Sequence, residues 1–498
     1  MKKFTISLLG LLAAGLACLP APAQELFEQL DFPNPDNTPA PVFPVPTERQ
    51  VEWMKMEFYG FSHYGYNTFL GKEWGNDTRP DPTRYAPQSI PDCEQWVTAM
   101  KSAGMTGVVA VVKHHDGFCM WPTKSTDFNV TASAGVGPQV DIPKLVSEAC
   151  RKHGMKFGVY LSPWDANASN YATQDYIDQN FRTQLTELLT NYGEVFEVWF
   201  DGANGGTGYY GGTRPTTKNI DKTTYYDWPN IADFVHKLQP GATVWGREFR
   251  WCGNEDGYSG RTCWSNSDIR SVQGEGNNNT GYEEGFEFIP SESDVRTSQN
   301  WFWHANENIK SAEELYKIYL ETVGRNATLI MNCAANTDGV LSDTQVRNLG
   351  QLGELLETRL TNNFALTATS ITADQVRDGG KYDAKNVADN DKETYWATND
   401  GQTTGSVTIE LPETQQVHYV MLQEYMKLGQ RVRAFNIEFS TDGSTWRPFA
   451  EGTTIGHKRI MARNDDTSSY GRGIPAKYIR VNITDSRACP LLSNIAIY

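Results

Sequence analysis

Buried-strand patterns and helix patterns alternate along residues 51–362. Amphipathic helix patterns begin behind cap residues such as Asp92, Ser311 and Ser342. The strand patterns between them are short apolar runs, of the kind buried on both faces, at residues 107–112, 157–161, 195–200 and 328–331. Such alternation over about 300 residues predicts parallel strands with helical crossovers. We therefore predict an α/β fold, a (β/α)8-like barrel, and no GxGxxG motif supports the competing doubly wound sheet.

The pattern changes near residue 363. Apolar residues then alternate with period two, and Asp442-Gly443 is a strong hairpin turn. The alternating runs lie at residues 407–411, 419–423, 435–439 and 478–483. No helix pattern interrupts them. We predict that residues 363–498 form a separate all-β sandwich, a jelly-roll domain.

The first 50 residues contain two segments that do not belong to these domains. Residues 1–23 have two lysines, an apolar stretch and a small-residue cleavage site, which together predict a signal peptide. The mature protein is then expected to be secreted or periplasmic. Residues 24–50 contain six prolines and predict an extended arm.

The charge balance narrows the range of partners. Asp and Glu number 60 against 44 Lys and Arg, which gives a net charge of −16. A sequence-independent nucleic-acid binder needs a basic face, so we expect no nucleic-acid partner. No run after the signal peptide is long and apolar enough to predict membrane insertion. The 14 Trp and 23 Tyr suit either a large core or a surface that stacks on sugar rings.

Cysteine usage does not indicate a disulfide framework. Seven cysteines remain after the predicted signal peptide, an odd number with wide spacing. Cys252 and Cys263 are close enough along the chain to pair. No CxxC pair predicts a zinc site.

Polar and aromatic residues follow the predicted strands, at the end where barrel enzymes carry their active sites. His63 lies in the first strand region, His114 and His115 follow the second strand, and Asp201 follows the fourth. The two adjacent histidines have metal binding as an alternative role. Neighbouring residues of a strand point to opposite faces, however, so one ion rarely takes both.

Two carboxyl groups are candidates for glycosidic chemistry. Asp201 follows a strand pattern that is apolar except for Glu197, and a carboxylate there suits attack on an anomeric carbon, with a helix N-cap as the alternative role. The proton donor has two candidates, Glu248 and Glu255. Arg247 and Arg250 beside Glu248 favour a carboxylate rather than an acid, and Glu255 lies further out on a Gly-rich loop. For either glutamate, the alternative to a catalytic role is that of an ordinary solvent-exposed loop residue.

At these residues the sequence resembles the α-L-fucosidases of glycoside hydrolase family 29. The match covers about residues 53–360 and rests on five motifs in order: Glu73-Trp74, His114 to Phe118, Gly158 to Asp165, Val198 to Gly202 and Val323 to Asn326. Five ordered motifs are more specific than any one alone. The resemblance implies a retaining exo-α-L-fucosidase that needs no cofactor for catalysis and acts on a fucosylated oligosaccharide or glycoconjugate.

The resemblance also implies roles for individual residues. The family nucleophile falls on Asp201. Arg250-Trp251-Cys252-Gly253-Asn254-Glu255 looks like the RWxGNE motif of the subfamily acting on branched α1,3/1,4-fucosides, which gives Glu255 the acid/base role. The residues before this motif depart from the family pattern, so Glu248 stays an alternative. The implied fucose contacts are His63, Glu73, Trp74, His114, His115, Tyr160, Trp199 and, against the C6 methyl edge, Trp301.

The tail resembles discoidin-like, F5/8 type C modules, which include carbohydrate-binding module family 32. The matching segments are residues 388–396, 439–446 and 477–481. Such modules often hold a structural Ca²⁺ in the first of these loops, so Asp389 and Thr394 are its candidate ligands. Ordinary turn formation is the alternative. Whether this module binds a galactoside or braces the barrel stays open.

Two other functions stay open at this point. One is a non-catalytic glycan-binding protein in which the tail acts and the barrel has decayed, and the intact motifs at Asp201 and Glu255 weigh against it. The other is a retaining glycosidase for another α-linked sugar. A Gly- and Tyr-rich insert at residues 205–212 also follows Asp201 and is placed to reshape the aglycone side.

Overall fold

A computed structural model of the chain describes residues 34, 36–268, 278–466 and 473–498. The predicted signal peptide, residues 1–23, lies outside the described residues. A curled parallel sheet comes first and an antiparallel β-sandwich follows it. The predicted fold class, an α/β barrel followed by an all-β domain, is therefore confirmed.

The barrel sheet contains eight of the first twelve strands in the described part of the chain. In chain order these twelve are β1 (Phe58–Ser62), β2 (Gly107–Lys113), β3 (Lys156–Leu161), β4 (Glu197–Trp199), β5 (Gly205–Gly208), β6 (Thr216–Asn219), β7 (Thr243–Val244), β8 (Arg250–Trp251), β9 (Asn266–Ser267), β10 (Glu287–Phe288), β11 (Ser291–Arg296) and β12 (Ala327–Asn332). The parallel sheet has the order β7-β4-β3-β2-β1-β12-β11-β8. An isolated bridge between Trp245 and Phe249 links its two end strands. This is the order of strands around a barrel.

Helices connect most of the barrel strands. They are α1 (Glu48–Met54), α2 (Tyr66–Leu70), α3 (Cys93–Ser102), α4 (Ile142–His153), α5 (Arg182–Asn191), α6 (Trp228–Leu238), α7 (Ala312–Thr322) and α8 (Asp343–Leu360). The side chains of Asp92, Ser311 and Ser342 accept backbone N–H groups at the starts of α3, α7 and α8, as predicted. Only residues 245–249 separate β7 from β8, and this connection is too short for a helix.

The alternation of side chains along β2 divides the core into two layers. Val109 and Val111 join Tyr59, Tyr160 and Trp199 inside the barrel. The intervening residues of β2 pack outward against the helices. A strand buried on both faces accounts for the continuous apolar run in the sequence. The aromatic residues inside the barrel form the floor beneath its open end.

In the described residues the sandwich has nine further strands. They are β13 (Ser370–Ala373), β14 (Trp396–Ala397), β15 (Gly405–Val417), β16 (Tyr419–Glu424), β17 (Val432–Ser440), β18 (Arg447–Gly452), β19 (Arg459–Ala462), β20 (Ile474–Ser486) and β21 (Leu491–Ile497). One sheet has the order β13-β15-β20-β17-β18 and the other β14-β21-β16-β19. Asp442 accepts two backbone N–H groups in the turn between β17 and β18, which confirms the hairpin there.

Partly buried polar contacts fix the sandwich to the barrel. The Glu57 carboxylate lies 3.0 Å from His457 Nε2 and accepts a hydrogen bond from Lys458 Nζ. Burial raises the pKa of Glu57, but Lys458 and His457 more than offset this and hold that pKa well below its usual value. Asn326 Oδ1 also accepts the backbone N–H of His457 at 2.7 Å.

The arm before α1 lies against the sandwich. Backbone carbonyls of the arm accept hydrogen bonds from three arginines of the sandwich, in the pairs Arg377–Asn37, Arg431–Ala40 and Arg487–Phe43. Helix α1 begins at Glu48, inside the arm predicted to run to residue 50. All seven described cysteines are buried and unpaired, so the disulfide considered for Cys252 and Cys263 does not form.

Candidate active site

A cavity of about 860 Å³ opens at the C-terminal ends of the barrel strands. This volume is near the upper end of the range for sites that hold drug-sized ligands, so it has room for more than one sugar unit. Its wall is strongly aromatic, with Phe61, Trp74, Tyr160, Trp164, Trp199, Trp228, Trp245, Trp251 and Trp301. Aromatic faces beside polar groups are suited to binding sugar rings.

Asp201 lies at the end of β4 and lines the cavity. Its Oδ2 accepts a hydrogen bond from the Tyr160 hydroxyl at 3.1 Å and lies 3.7 Å from His115 Nε2. Its Oδ1 accepts the N–H of Gly202 at 2.7 Å. Gly202 has a φ of 78°, and a Cβ there would lie 2.4 Å from the His115 ring. The turn after β4 therefore requires glycine, and the Gly202 N–H and the Tyr160 hydroxyl fix the orientation of the Asp201 carboxylate.

Three histidines line the cavity in their neutral form. Burial lowers the pKa of His63 to about 3, although Asn332 partly opposes this, and it lowers the pKa of His114 far below its usual value. Burial also lowers the pKa of His115, against the opposing charge of Asp201. A neutral imidazole both donates and accepts hydrogen bonds, which suits sugar hydroxyl groups. The described residues hold no cluster of three or more His, Cys, Asp or Glu placed to bind a metal.

Glu255 reaches the same cavity from the loop after β8. Its Oε2 accepts the Trp301 indole N–H at 3.1 Å and lies 3.7 Å from Arg296 Nη1. The Arg296 guanidinium also stands 5.3 Å from the centre of the Trp301 ring. The loop is fixed to β11 by a bridge between Asp256 and Val295. Two carboxyl groups, far apart along the chain, thus share one cavity.

Glu248, the other candidate for proton donor, does not line this cavity. Its Oε2 accepts the backbone N–H of Val244 at 2.8 Å. Its Oε1 lies 3.4 Å from His236 Nε2 and 3.8 Å from Arg49 Nη1. Because β7 and β8 are joined by so short a connection, Glu248 turns back against β7 and α6. The structure brings Glu255 to the cavity and leaves Glu248 outside it.

Seven of the eight predicted fucose contacts line the cavity, namely His63, Trp74, His114, His115, Tyr160, Trp199 and Trp301. Glu73 is the exception. Its carboxylate accepts the backbone N–H of Trp301 at 2.6 Å and of Phe302 at 3.2 Å, and it lies 3.1 Å from His304 Nε2. Glu73 therefore holds the loop that carries Trp301.

Asp294 is a cavity residue that the sequence analysis missed. It lies on β11, is 5% exposed and accepts the Trp251 indole N–H at 2.8 Å. The segment SESDVR has almost no apolar residues, so its composition does not predict a strand. The available signal was the spacing of Glu292 and Asp294, two apart and so on one face of a strand.

The cavity extends beyond the histidines over the end of β7. This extension is lined by Lys222, Thr223, Trp228, Pro229, Trp245 and Arg247. In the sheet, β7 lies next to β4, and the short connection from β7 leads to β8. The extension therefore lies between the strand ends that carry Asp201 and Glu255. The β5–β6 hairpin, which contains part of the Gly- and Tyr-rich insert, follows Asp201 on this side.

The candidate calcium ligands form a turn. Thr394 Oγ1 donates to Asp389 Oδ2 at 2.6 Å, and the Asp391 N–H donates to Asp389 Oδ1 at 2.9 Å. Ca²⁺ takes six to eight oxygen ligands, and no group of three or more His, Cys, Asp or Glu is placed to hold an ion among the described residues of this loop. Their arrangement fits a hydrogen-bonded turn. The Ca²⁺ stays a prediction, which a comparison of thermal unfolding in EDTA and in CaCl₂ tests.

A (β/α)8-like barrel with carboxyl groups, histidines and aromatic rings around one cavity large enough for an oligosaccharide is the architecture of a glycoside hydrolase. The family profile described as Alpha-L-fucosidase matches residues 41–359, and the F5/8 type C domain profile matches residues 367–494. Alpha-L-fucosidase 1 of Arabidopsis thaliana is 31% identical over 474 residues, which cover 92% of this chain and 88% of the relative. The chain therefore belongs to the α-L-fucosidase family of glycoside hydrolases and carries a C-terminal F5/8 type C domain.

Solved structures agree with this assignment. The glycoside hydrolase family 29 fucosidase of Ruminococcus gnavus, solved in complex with fucose, is 30% identical with a TM-score of 0.82, covering 93% of this chain and 96% of that one. A family 29 member from an unknown rumen bacterium is 33% identical with a TM-score of 0.78, covering 93% of this chain and 78% of that one. Both similarities span the barrel and the sandwich.

Proposed function

We propose that this protein is an exported, retaining exo-α-L-fucosidase that releases L-fucose from α1,3/1,4-fucosylated, Lewis-type glycans. The observation that carries the proposal is the sharing of one aromatic, histidine-lined cavity by Asp201 and Glu255. A double displacement needs two such groups, one to attack the sugar and one to exchange protons with the leaving group and with water.

In the first step Asp201 is the nucleophile. Its carboxylate oxygen forms a bond to C1 of fucose while the glycosidic C1–O bond breaks and Glu255 gives its proton to the departing oxygen. The N–H of Gly202 and the hydroxyl of Tyr160 hold the attacking carboxylate in place. The product of this step is a fucosyl ester of Asp201 and a free aglycone.

In the second step Glu255 is the base. It takes a proton from water, the water oxygen attacks C1, and the ester bond to Asp201 breaks. Two inversions at C1 give net retention. Arg296 and the Trp301 indole N–H, both beside Glu255, hold its carboxylate in place between the two steps.

The wall around the nucleophile supports fucose as the sugar. Neutral His63, His114 and His115 offer hydrogen bonds to hydroxyl groups, and Trp301 offers an apolar face to the C6 methyl group. Phe61 stands 6.2 Å from Trp301, ring centre to ring centre, and extends this apolar side. A 6-deoxy sugar has one such apolar edge, whereas a hexose carries a hydroxyl there.

The extension over β7 supports a branched aglycone. It lies between the strand ends that carry Asp201 and Glu255, which is the side from which a leaving group departs. Trp228 and Trp245 offer faces for a second sugar ring, and Arg247 offers hydrogen-bond donors. A linear α1,2-fucoside needs less of this space than a branched α1,3/1,4-fucoside does.

Export rests on the signal peptide predicted for residues 1–23, which lie outside the described residues. None of the helices in the described part of the chain is long and apolar enough to span a membrane. Mass spectrometry of the N-terminus of protein recovered from the medium or periplasm tests this point. We expect a chain that begins at Gln24, and an intact N-terminus would contradict cleavage.

A digestion panel tests the activity and its linkage preference. We expect release of fucose from Lewis-type trisaccharides at least about tenfold faster than from α1,2-fucosyllactose, with other α-glycosides left intact. NMR of early time points should show α-fucose as the first product. β-Fucose as the first product would exclude retention, and equal rates on both linkages would exclude the specificity. Loss of all activity on fucosides would favour a glycan-binding role.

Variants assign the two carboxyl groups. Asp201→Ala should fold normally and lose at least about a thousandfold in kcat, and added azide should then give β-fucosyl azide. Glu255→Ala should keep more activity on an aryl fucoside with a good leaving group than on a trisaccharide, because only the latter needs a proton donor. Unchanged activity in either variant would contradict its assigned role.

A further inference from the structure

Asp294 is a buried carboxyl group in the cavity that the mechanism above does not use. It lines the cavity together with Asp201 and Glu255. Its Oδ1 accepts the Trp251 indole N–H at 2.8 Å, and no ion pair joins it to a cation of the described residues. Charged carboxylates are rarely this deeply buried without a cationic partner. The surroundings therefore favour a neutral carboxyl group.

Most of the titratable groups around Asp294 are potential anions. Around it stand Glu255 from the loop after β8, Asp201 from the end of β4, Tyr160 from β3, Cys252 beside β8 and Glu292 from β11 itself. Arg296, the cation on this wall, pairs with Glu255 at 3.7 Å. A third negative charge here would add to those of Asp201 and Glu255 in a partly enclosed space.

We propose that Asp294 is a positioning residue of the hydrolytic site that works in its neutral form, holding the Trp251 indole with one oxygen and offering its O–H to the cavity with the other. This inference rests on the fucosidase activity proposed above. The neutral form leaves Asp201 as the single permanent negative charge while Glu255 gains and loses its proton. A positioned O–H is then available to a sugar oxygen or to the Glu255 carboxylate.

Loss of the Asp294 proton should reduce the activity of the enzyme at alkaline pH. Burial, and then the charges of Glu255 and Asp201, raise its pKa to about 8, while the Trp251 hydrogen bond lowers it. The neutral form is therefore present at neutral pH and is lost as the pH rises through this value. The contribution of Asp294 to catalysis should be lost over the same range.

Asp294→Asn and Asp294→Ala separate a neutral role from a charged one. The amide keeps an acceptor for Trp251 and keeps a donor, so at pH 6 Asp294→Asn should retain kcat/KM within about fivefold of the wild type. Asp294→Ala loses both the acceptor and the donor, and its kcat/KM at pH 6 should fall by about fiftyfold or more. The ratio of wild-type to Asp294→Asn kcat/KM should be constant up to about pH 7 and fall severalfold by about pH 9, because only the wild type ionises.

Asp256→Asn is the matched control, because it removes a carboxylate from the Glu255 loop outside the cavity and should keep the wild-type pH profile. Trp251→Phe provides a second test, since loss of its N–H should move the alkaline limb of its own profile upward by removing a bond that favours the charged carboxylate. The infrared band of a protonated carboxyl group at neutral pH should be present in the wild type and weaker in Asp294→Asn.

Several results would overturn the proposal. Asp294→Asn as inactive as Asp294→Ala at pH 6 would show a charged role, and a ratio that does not change with pH would show a purely structural one. An unmoved alkaline limb in Trp251→Phe, or an unchanged infrared band, would also contradict a neutral Asp294. If the wild type cleaves no fucoside, the proposed function fails, and the infrared comparison still decides the state of Asp294.

Discussion

The loop that carries Trp301 depends on Glu73, and this dependence gives a quantitative prediction. Glu73→Ala removes two charge-assisted hydrogen bonds to backbone N–H groups, at 2.6 and 3.2 Å, and the contact with His304. Such bonds are worth roughly 1.5–3 kcal/mol each. The Glu73 side chain is 30% exposed, so in the variant water replaces part of the lost hydrogen bonding. We therefore take about 3 kcal/mol as the free energy lost with the two hydrogen bonds.

If this free energy is needed to keep Trp301 in place, kcat/KM should fall by about a hundredfold in Glu73→Ala. Trp301 also donates to Glu255, so both sugar binding and the acid/base group are affected. Glu73→Gln keeps one acceptor oxygen, and its kcat/KM should fall by about tenfold. The assay is kcat/KM on an aryl α-L-fucoside, with Trp fluorescence reporting the loop.

Glu187→Ala is the matched control. Glu187 also accepts an indole N–H, from Trp121 at 2.9 Å, and a backbone N–H, from Lys124 at 3.0 Å, but it does not line the cavity. This variant should lower the melting temperature and leave kcat/KM within about twofold. Full activity in Glu73→Ala, or an equal loss in Glu187→Ala, would refute the reasoning.

Three further predictions concern stability and the acid/base assignment. Glu57→Gln should cost about 3 kcal/mol of unfolding free energy in denaturant titrations at pH 7, because Lys458 keeps a buried charge. Because the pKa of Glu57 is lowered in the folded state, its carboxylate stabilises the fold above its usual pKa of 4.5, and this stabilisation is lost as the pH falls below that value. The difference in unfolding free energy between the wild type and Glu57→Gln should therefore shrink in acid. Glu248→Gln should keep kcat/KM within about threefold, since it lies outside the cavity, and a large loss would reopen its acid role. Dithiothreitol should leave the melting temperature unchanged because Cys252 and Cys263 are unpaired, and a decrease would indicate a disulfide.

The sequence predicts the barrel where strands are apolar and fails where they are short or polar. The run at residues 107–112 is buried on both faces, so its composition alone identifies β2. By contrast, β7 and β8 have two residues each, too few for any periodicity. Strand β11 carries Glu292 and Asp294 toward the barrel interior, where Trp199 and Trp251 donate to them. Polar pairing of this kind depends on residues far away along the chain.

The local sequence likewise predicts some residues of the candidate site, whereas others depend on the fold. Residues directly after long apolar strands, such as Asp201 and His114, could be placed at the barrel opening from sequence. The choice between Glu248 and Glu255 could not, because it depends on how the connection after β7 turns. The motif predicts Glu73 as a fucose contact, whereas in the structure Glu73 lies outside the cavity lining and binds the Trp301 loop, a long-range contact that no sequence pattern indicates.

In the proposed mechanism Asp201 forms a covalent bond to fucose. The most direct measurement is mass spectrometry of peptides after reaction with 2-deoxy-2-fluoro-fucosyl fluoride, in which the fluorine at C2 slows the second step so that the ester accumulates. We expect one adduct, on Asp201, with loss of activity in step with labelling. An adduct on another residue, or continued turnover with no adduct, would contradict this mechanism.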